Sequence, residues 1–323
     1  MKPEVVALGE LLIDFTGHGY SDQGNPVLEA NPGGAPCNVL AMLAKLGKST
    51  AFIGKVGDDV FGHMLHKAIL EAGISADGLV TDSSVNTTLA IVMTAEDGDR
   101  DFSFYRNPGA DTMLRREEVL EELILNCRIF HFGTLSLTDE PSRTTTYAAV
   151  EAARKAGALI SFDPNLRPPL WQTIADAKRE MEWGCRRCDI LKLAEDELTF
   201  LTGCADIEEG AHQLRSQYAN IRLLFVTRGK AGSVCFYEGL TVNMPTFLQV
   251  KTVDTTGAGD TFLGSCLAWI LDSGLDDLDG ERLSMMLRFA NAASSLVTTK
   301  KGALRAMPQR EEILALLKSQ QDS

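Results

Sequence analysis

Apolar runs alternate with amphipathic stretches along most of the chain. The runs at 5–13, 50–56, 128–132, 158–162, 190–193 and 223–227 are nearly continuous, as strands of a parallel sheet covered on both faces must be. Between them, 38–46, 61–72, 143–156 and 207–218 repeat their apolar positions with helical spacing. That alternation predicts a doubly wound α/β architecture with a mostly parallel central sheet. No internal repeat or low-complexity linker interrupts it, so residues 1–323 are expected to form one domain.

One stretch departs from this pattern. Residues 87–93 and 101–105 alternate, with Asp97-Gly98 between them as a turn signal, which predicts an antiparallel hairpin. It lies either at an edge of the main sheet or in a small β lid standing off it. In the second case the polar stretch 17–31 adds neighbouring strands, and the lid is discontinuous, formed from about 15–31 and 86–108.

Charge narrows the partners. The 323 residues carry 31 Lys and Arg against 44 Asp and Glu, a formal charge of −13. Nucleic-acid surfaces cluster Lys and Arg, so nucleic acid is not an expected partner. An anionic ligand must then be held by a local device. No window approaches the ~18–20 apolar residues of a membrane span. The first residues carry Glu4, Glu10 and Asp14 and no small-residue cleavage site, which predicts a cytoplasmic protein without membrane contact. Seven scattered cysteines fit a reducing compartment. Cys185 and Cys188 make one CxxC with no second pair at zinc spacing, and read as structural thiols, with a redox or metal role as the alternative.

The densest chemical signal is Asp254-Thr255-Thr256-Gly257-Ala258-Gly259-Asp260-Thr261-Phe262, ahead of a helical stretch at 263–271. Glycines just before a helix let successive N–H groups converge, and the helix dipole completes an anion site. Asp260 in the first turn stands where it could take a proton from an attacking hydroxyl. The plainer reading is a capped helix start. Neither GxxxxGK[ST], nor GxGxxG after the first strand, nor protein-kinase HRD and DFG motifs occur.

These residues resemble the C-terminal signature of the ribokinase family of carbohydrate kinases. Pro32-Gly33-Gly34-Ala35-Pro36-Cys37-Asn38-Val39 and Lys55-Val56-Gly57-Asp58-Asp59-Val60-Phe61-Gly62 resemble its N-terminal one, and the similarity runs from Gly9 to Pro308. Phe102-Ser103-Phe104-Tyr105-Arg106-Asn107-Pro108 and Ala110-Asp111 are most similar to fructokinases. The resemblance implies a ribokinase-like three-layer α/β/α fold with a β lid. It makes Asp260 the base, and the backbone of Gly257, Ala258 and Gly259 the anion hole. Asp14, Gly33, Gly34, Asn38 and Arg106 then face the sugar. From the residues alone, Asn38 is equally a helix cap and Arg106 an exposed salt bridge.

Asn165, Arg167 and Lys192 are implied at the phosphates, where Lys192 reads otherwise as an ion-pair partner of Asp163 or Glu197. Thr227, Gly229, Gly232 and Asn291 are implied around the nucleoside; a hairpin turn and a polar helix face are their plainer readings. The family's Asn-x-x-Glu aligns with Ala194-Glu195-Asp196-Glu197, so only Glu197 keeps its function there. Mg2+ is then expected mainly on ATP oxygens and water. Asp254 and Thr256, with carbonyls near Val297 and Gly302, match a K+ site of many relatives. The reading is an ATP-dependent kinase acting on the 6-hydroxyl of fructose. Another sugar (2-keto-3-deoxygluconate, ribose or a nucleoside) or a non-catalytic sugar- or nucleotide-responsive protein are the alternatives. A homodimer clasped through the lids is a further expectation.

Overall fold

The first strand, Val5–Leu8, is buried at every position, because it lies inside the sheet with a parallel neighbour on each side. The computed structural model describes residues 2–94 and 100–319. Among them, nine strands form one sheet in the order Leu240–Met244, Ser233–Tyr237, Leu223–Thr227, Ile190–Ala194, Leu159–Phe162, Ile129–Phe132, Val5–Leu8, Thr50–Gly57, Ile74–Asp82. Ladders from Leu223–Thr227 through Ile74–Asp82 are parallel, and the two outermost strands at the other edge are antiparallel. Strand order reverses direction at Val5–Leu8, so the crevice at that switch point is where an open α/β sheet binds ligands.

Helices cover both faces, giving three layers. On one face, Ala35–Lys45, Val60–Glu71, Ala258–Ser273 and Gly280–Val297 share a core with Phe52, Phe225 and Leu263. On the other, Ser142–Lys155, Ile174–Cys185, Glu195–Thr202 and Ile207–Gln217 pack around Phe130, Phe132 and Phe162. Ala258–Ser273 is buried almost all round, which is why its sequence is apolar without a polar stripe. A side chain at Gly264 would strike Met42 Cβ at 2.8 Å, so that helix and Ala35–Lys45 lie in direct backbone contact.

A second sheet has the order Pro26–Gly33, Leu12–Tyr20, Leu89–Thr94, Arg100–Tyr105. The hairpin expected over 87–93 and 101–105 is present as Leu89–Thr94 paired antiparallel with Arg100–Tyr105, while the Asp97-Gly98 turn lies outside the described residues. Two expectations need correcting. Residues 5–13 are not one strand: the chain leaves the large sheet after Leu8 and enters the small one at Leu12. Apolar continuity hid the break because Leu11, Leu12 and Ile13 are buried in their turn. The helix read as 38–46 begins at Ala35, so Asn38 is not its cap. Glu10 does that work, accepting from the Ala35 N–H at 2.8 Å, and the Asn38 side chain is left for other use.

Cys185 and Cys188 are both buried, one ending the Ile174–Cys185 helix. The Asn220 amide donates to both their carbonyls, and burial pushes both thiols above their ordinary range. No helix among the described residues is long and apolar enough to cross a membrane.

Candidate active site

A cavity of about 500 Å³ is lined by residues of both sheets and of the Ala258–Ser273 helix. The chain crosses between the sheets beside it, and the second crossing turns on Gly34. With φ of +129°, a side chain there would meet the Glu10 carbonyl at 2.4 Å, so glycine is required. Of the residues singled out from sequence, Asp14, Gly34, Asn38, Asn165, Arg167, Lys192, Thr227, Asp254, Thr256, Gly257, Ala258, Gly259, Asp260 and Gly302 all line this cavity. They come from strand ends, loops and a helix start up to 288 residues apart in a chain of 323, and the fold brings them to one place.

At one end, Gly257 has φ of +77° and turns the chain into the helix that starts at Ala258. Lys192, in the middle of the Ile190–Ala194 strand, sets its ammonium against this turn: a Cβ on Gly259 would lie 2.9 Å from Nζ. The same ammonium pairs with Asp163 at 3.0 Å, both side chains buried. Burial disfavours its charge, but Asp163, Glu197 and Asp260 outweigh that, and its pKa is raised. A fixed cation therefore faces the N-terminus of a helix, two devices for a single anion.

Asp260 lies beside them and accepts from the Asn38 amide at 2.8 Å. Burial, with help from Asp163, raises its pKa to about 6, against the pull of Asn38, Lys192 and Arg167. A carboxylate so placed is ionised at neutral pH yet more basic than one in water. The other Asn38 side-chain atom, Oδ1, is buried without a hydrogen-bond partner. An acceptor left unpaired in a cavity wall marks a place for a ligand hydroxyl. Asp14 stands nearby, its pKa raised by burial to about 7 despite Arg167; a side chain on Gly33 would fall 2.4 Å from its Oδ2. This end is lined with acceptors, the other with donors.

Glu197 is one step behind the wall. Its carboxylate accepts from the backbone of Ala194 at 2.8 Å and of Leu166 at 2.7 Å. It thus starts the Glu195–Thr202 helix and grips the Asn165–Arg167 segment, where Asn165 has φ of +51°. Asp254 accepts from Thr256 N and Oγ1 and from Gly302 N, stitching the loop before the helix to the loop after Gly280–Val297. Val297 ends that helix, buried, and its carbonyl accepts from Lys300 N–H.

Other predicted residues stay outside the lining. Asn291 donates to the carbonyls of Met244 and Pro245 and accepts from Ser233 Oγ. Gly229 and Gly232 shape the turn after Leu223–Thr227, where a side chain on Gly232 would strike the Met244 carbonyl at 2.1 Å. Arg106 is buried behind the cavity, in a salt bridge with Asp111. The pair is the ionic one foreseen as the plainer reading, but it is not exposed. Sequence reasoning passed over Glu10, which lines the cavity and whose pKa is raised by burial to about 7. Its signal was a lone acid within an otherwise apolar run.

A three-layer fold with a second sheet over the strand ends, and an anion site facing a buried base, defines a small-molecule kinase of the ribokinase-like class. The model of the pfkB family carbohydrate kinases matches residues 2–310, and the chain belongs to that family. It is 43% identical over 316 residues to fructokinase-2 of Solanum habrochaites, covering 97% of this chain and 96% of the relative. Against fructokinase-1 of Zea mays the identity is 41% over 315 residues, covering 97% of each. Among solved structures, the fructokinase of Xylella fastidiosa with bound ATP superposes with a TM-score of 0.89 at 33% identity, covering 99% of this chain and all of that one. The fructokinase of Vibrio cholerae O395 bound to fructose, ADP and calcium gives 0.86 at 30%, covering 98% and 100%.

Proposed function

We propose that this protein is an ATP-dependent fructokinase, transferring the γ-phosphate to the 6-hydroxyl of D-fructose to give fructose 6-phosphate and ADP. The observation that carries the reading is Asp260, buried in the first turn of a helix whose Gly257-Ala258-Gly259 start is faced by the Lys192 ammonium. Fructose occupies the acceptor-rich end, its hydroxyls on Asp14, the Gly33-Gly34 backbone and Asn38. Asn38 Oδ1, otherwise unpartnered, accepts from one of them while Nδ2 holds Asp260 in line. Asp260 takes the proton of the attacking hydroxyl. The N–H groups of Gly257 to Gly259 and the charges of Lys192 and Arg167 stabilise the equatorial oxygens of the moving phosphoryl group.

ATP supplies that group, and Mg2+ on its oxygens offsets their charge when bound. The donor set fits an ion carried mainly by nucleotide and water, since no trio of His, Cys, Asp or Glu among the described residues is grouped to hold a metal. Glu197 orients Asn165 and Arg167 toward the phosphates through its grip on Leu166 N. Thr227, Gly229, Gly232 and Asn291 shape the nucleoside side, and K+ belongs at the loop of Asp254, Thr256, Val297 and Gly302. The small sheet, strands within 12–33 and 89–105, serves as a lid that excludes water. Seven unpaired thiols, six of them buried, support a reducing, cytoplasmic setting.

The test is ADP release with ATP, Mg2+ and a panel of fructose, 2-keto-3-deoxygluconate, ribose, adenosine and glucose, with Asp260→Asn as control. Turnover on fructose that the control abolishes is expected. Turnover on another sugar alone would replace the substrate and keep the mechanism, and silence across the panel would sink the kinase reading.

A further inference from the structure

Arg106 lies behind the wall of the sugar end, beside Glu10, while Arg167 is the guanidinium that lines the cavity and acts on Asp14. The structure shows where the Arg106 donors go. Nε and Nη2 donate to Asp111 Oδ2 at 2.8 and 2.6 Å, Nη2 also to the Leu135 carbonyl at 2.8 Å, and Nη1 to Thr138 Oγ1 at 2.8 Å. Asp111 is held in turn by the Thr88 hydroxyl. Both members of the ion pair are buried, with 3% and 2% of their side chains exposed. Glu10 and Asp139 add further negative charge around the guanidinium. Glu10 and Leu135 themselves line the cavity, so the pair sits directly behind its wall. A guanidinium committed in this way has no fork left for a substrate carboxylate, and two acidic residues, Glu10 and Asp14, line the cavity.

We propose that Asp111 is a specificity-determining residue: by binding the Arg106 guanidinium it withholds that charge from the sugar end, which favours uncharged sugars over six-carbon sugar acids as acceptors. Asp111 touches no substrate and acts through Arg106, so it is a positioning residue. The inference rests on the kinase reading and deepens it to a substrate class.

The experiment compares kcat/KM for fructose and for 2-keto-3-deoxygluconate in the wild type, Asp111→Asn and Thr88→Val. The assays run at about pH 8.5, where Glu10 and Asp14, both raised to about 7, are ionised. There the wild type is expected to favour fructose by about a hundredfold or more, a discrimination that like-charge juxtaposition at a desolvated site supplies. Asp111→Asn, which leaves the guanidinium without its counter-charge, should raise the acid-to-fructose ratio by about tenfold or more. Thr88→Val cuts one bond to Asp111 without changing charge, and should leave the ratio unchanged. If Asp111→Asn lowers both substrates in parallel, the pair is only a brace and the proposal is overturned. Should that variant fail to fold, calorimetry on the wild type decides, using the sugar acid and its neutral C1 carboxamide. Tighter binding of the carboxamide, by about tenfold or more, supports the proposal, and equal binding overturns it. A wild type inactive on fructose would defeat the fructokinase reading, while this ligand pair would still report the charge discrimination.

Discussion

Asp260 has to be ionised to accept a proton, yet it is buried among Asp163, Asp14 and Lys192. With its pKa near 6, kcat at saturating fructose should be flat above about pH 7 and fall about tenfold per unit once Asp260 protonates below 6. Saturation keeps Asp14, raised to about 7, engaged with the sugar. A pH–rate profile still flat at pH 5 would remove Asp260 from the role of base. Replacing it by Asn should lower kcat by about 10²–10⁴ while fructose still binds, because the amide keeps its place beside Asn38. The stability effect has the opposite sign. The folded pKa of about 6 exceeds the ordinary 3.8, so between these values the folded state holds a proton that the unfolded chain has lost. This group therefore costs stability increasingly as pH rises, and fully above about 6. At pH 7.5, Asp260→Asn should stabilise the free protein on the order of 2 kcal/mol, seen as a raised melting temperature. A lowered one would mean that its partners outweigh the burial.

At the scale of elements, the site depends on where helices begin. Gly257 sits at φ of +77°, and an added Cβ would lie 2.5 Å from Ala303 Cβ. Gly257→Ala therefore combines a left-handed alanine, about 1–2 kcal/mol, with a clash against the loop that Asp254 stitches through Gly302. The helix start should shift, lowering both melting temperature and kcat, the latter by about tenfold or more. Unchanged turnover would show that the N–H groups need no such placement. Lys192 belongs to the same junction. Lys192→Met should reduce kcat by about a hundredfold or more with little change in fructose affinity, since the ammonium stands at the anion end. A fall in fructose affinity alone would assign it to the sugar.

For the whole molecule the question is how the two sheets work together. Leu12–Tyr20 enters the small sheet directly from the first strand of the large one, and Pro26–Gly33 returns into the Ala35–Lys45 helix. Ligand at Asp14 and Asn38 therefore bears at once on the small sheet and on a helix that packs against the large one. Fructose with a non-hydrolysable ATP analogue should slow hydrogen exchange in Leu12–Tyr20 and leave the already buried Val5–Leu8 unchanged. Equal protection without the sugar would argue against a lid. The small sheet also exposes Tyr20 at 76% and Tyr105 at 62%, the residues we propose to be covered in a homodimer. Sedimentation equilibrium should report twice the chain mass, and a monomer would dismiss the clasp.

Much of this was legible in residue order. The parallel strands follow from apolar runs too continuous for a one-sided sheet, and the anion site follows from glycines placed next to a helix start. Those are local facts, set by backbone freedom and by how many faces a segment buries. Local reasoning failed where contact partners are distant in the chain. Nothing near Glu10 in sequence reveals that it caps a helix at Ala35, and this is why Asn38 looked like the cap. Nothing near Lys192 shows its ammonium against Gly259, or near Arg106 that its charge is spent on Asp111 inside the protein. Electrostatic roles depend on burial and on partners within a few ångströms, and those distances exist only once the two sheets have been assembled. The sequence alone determined which chemistry the chain carries; the tertiary structure decided which charges are free to perform it.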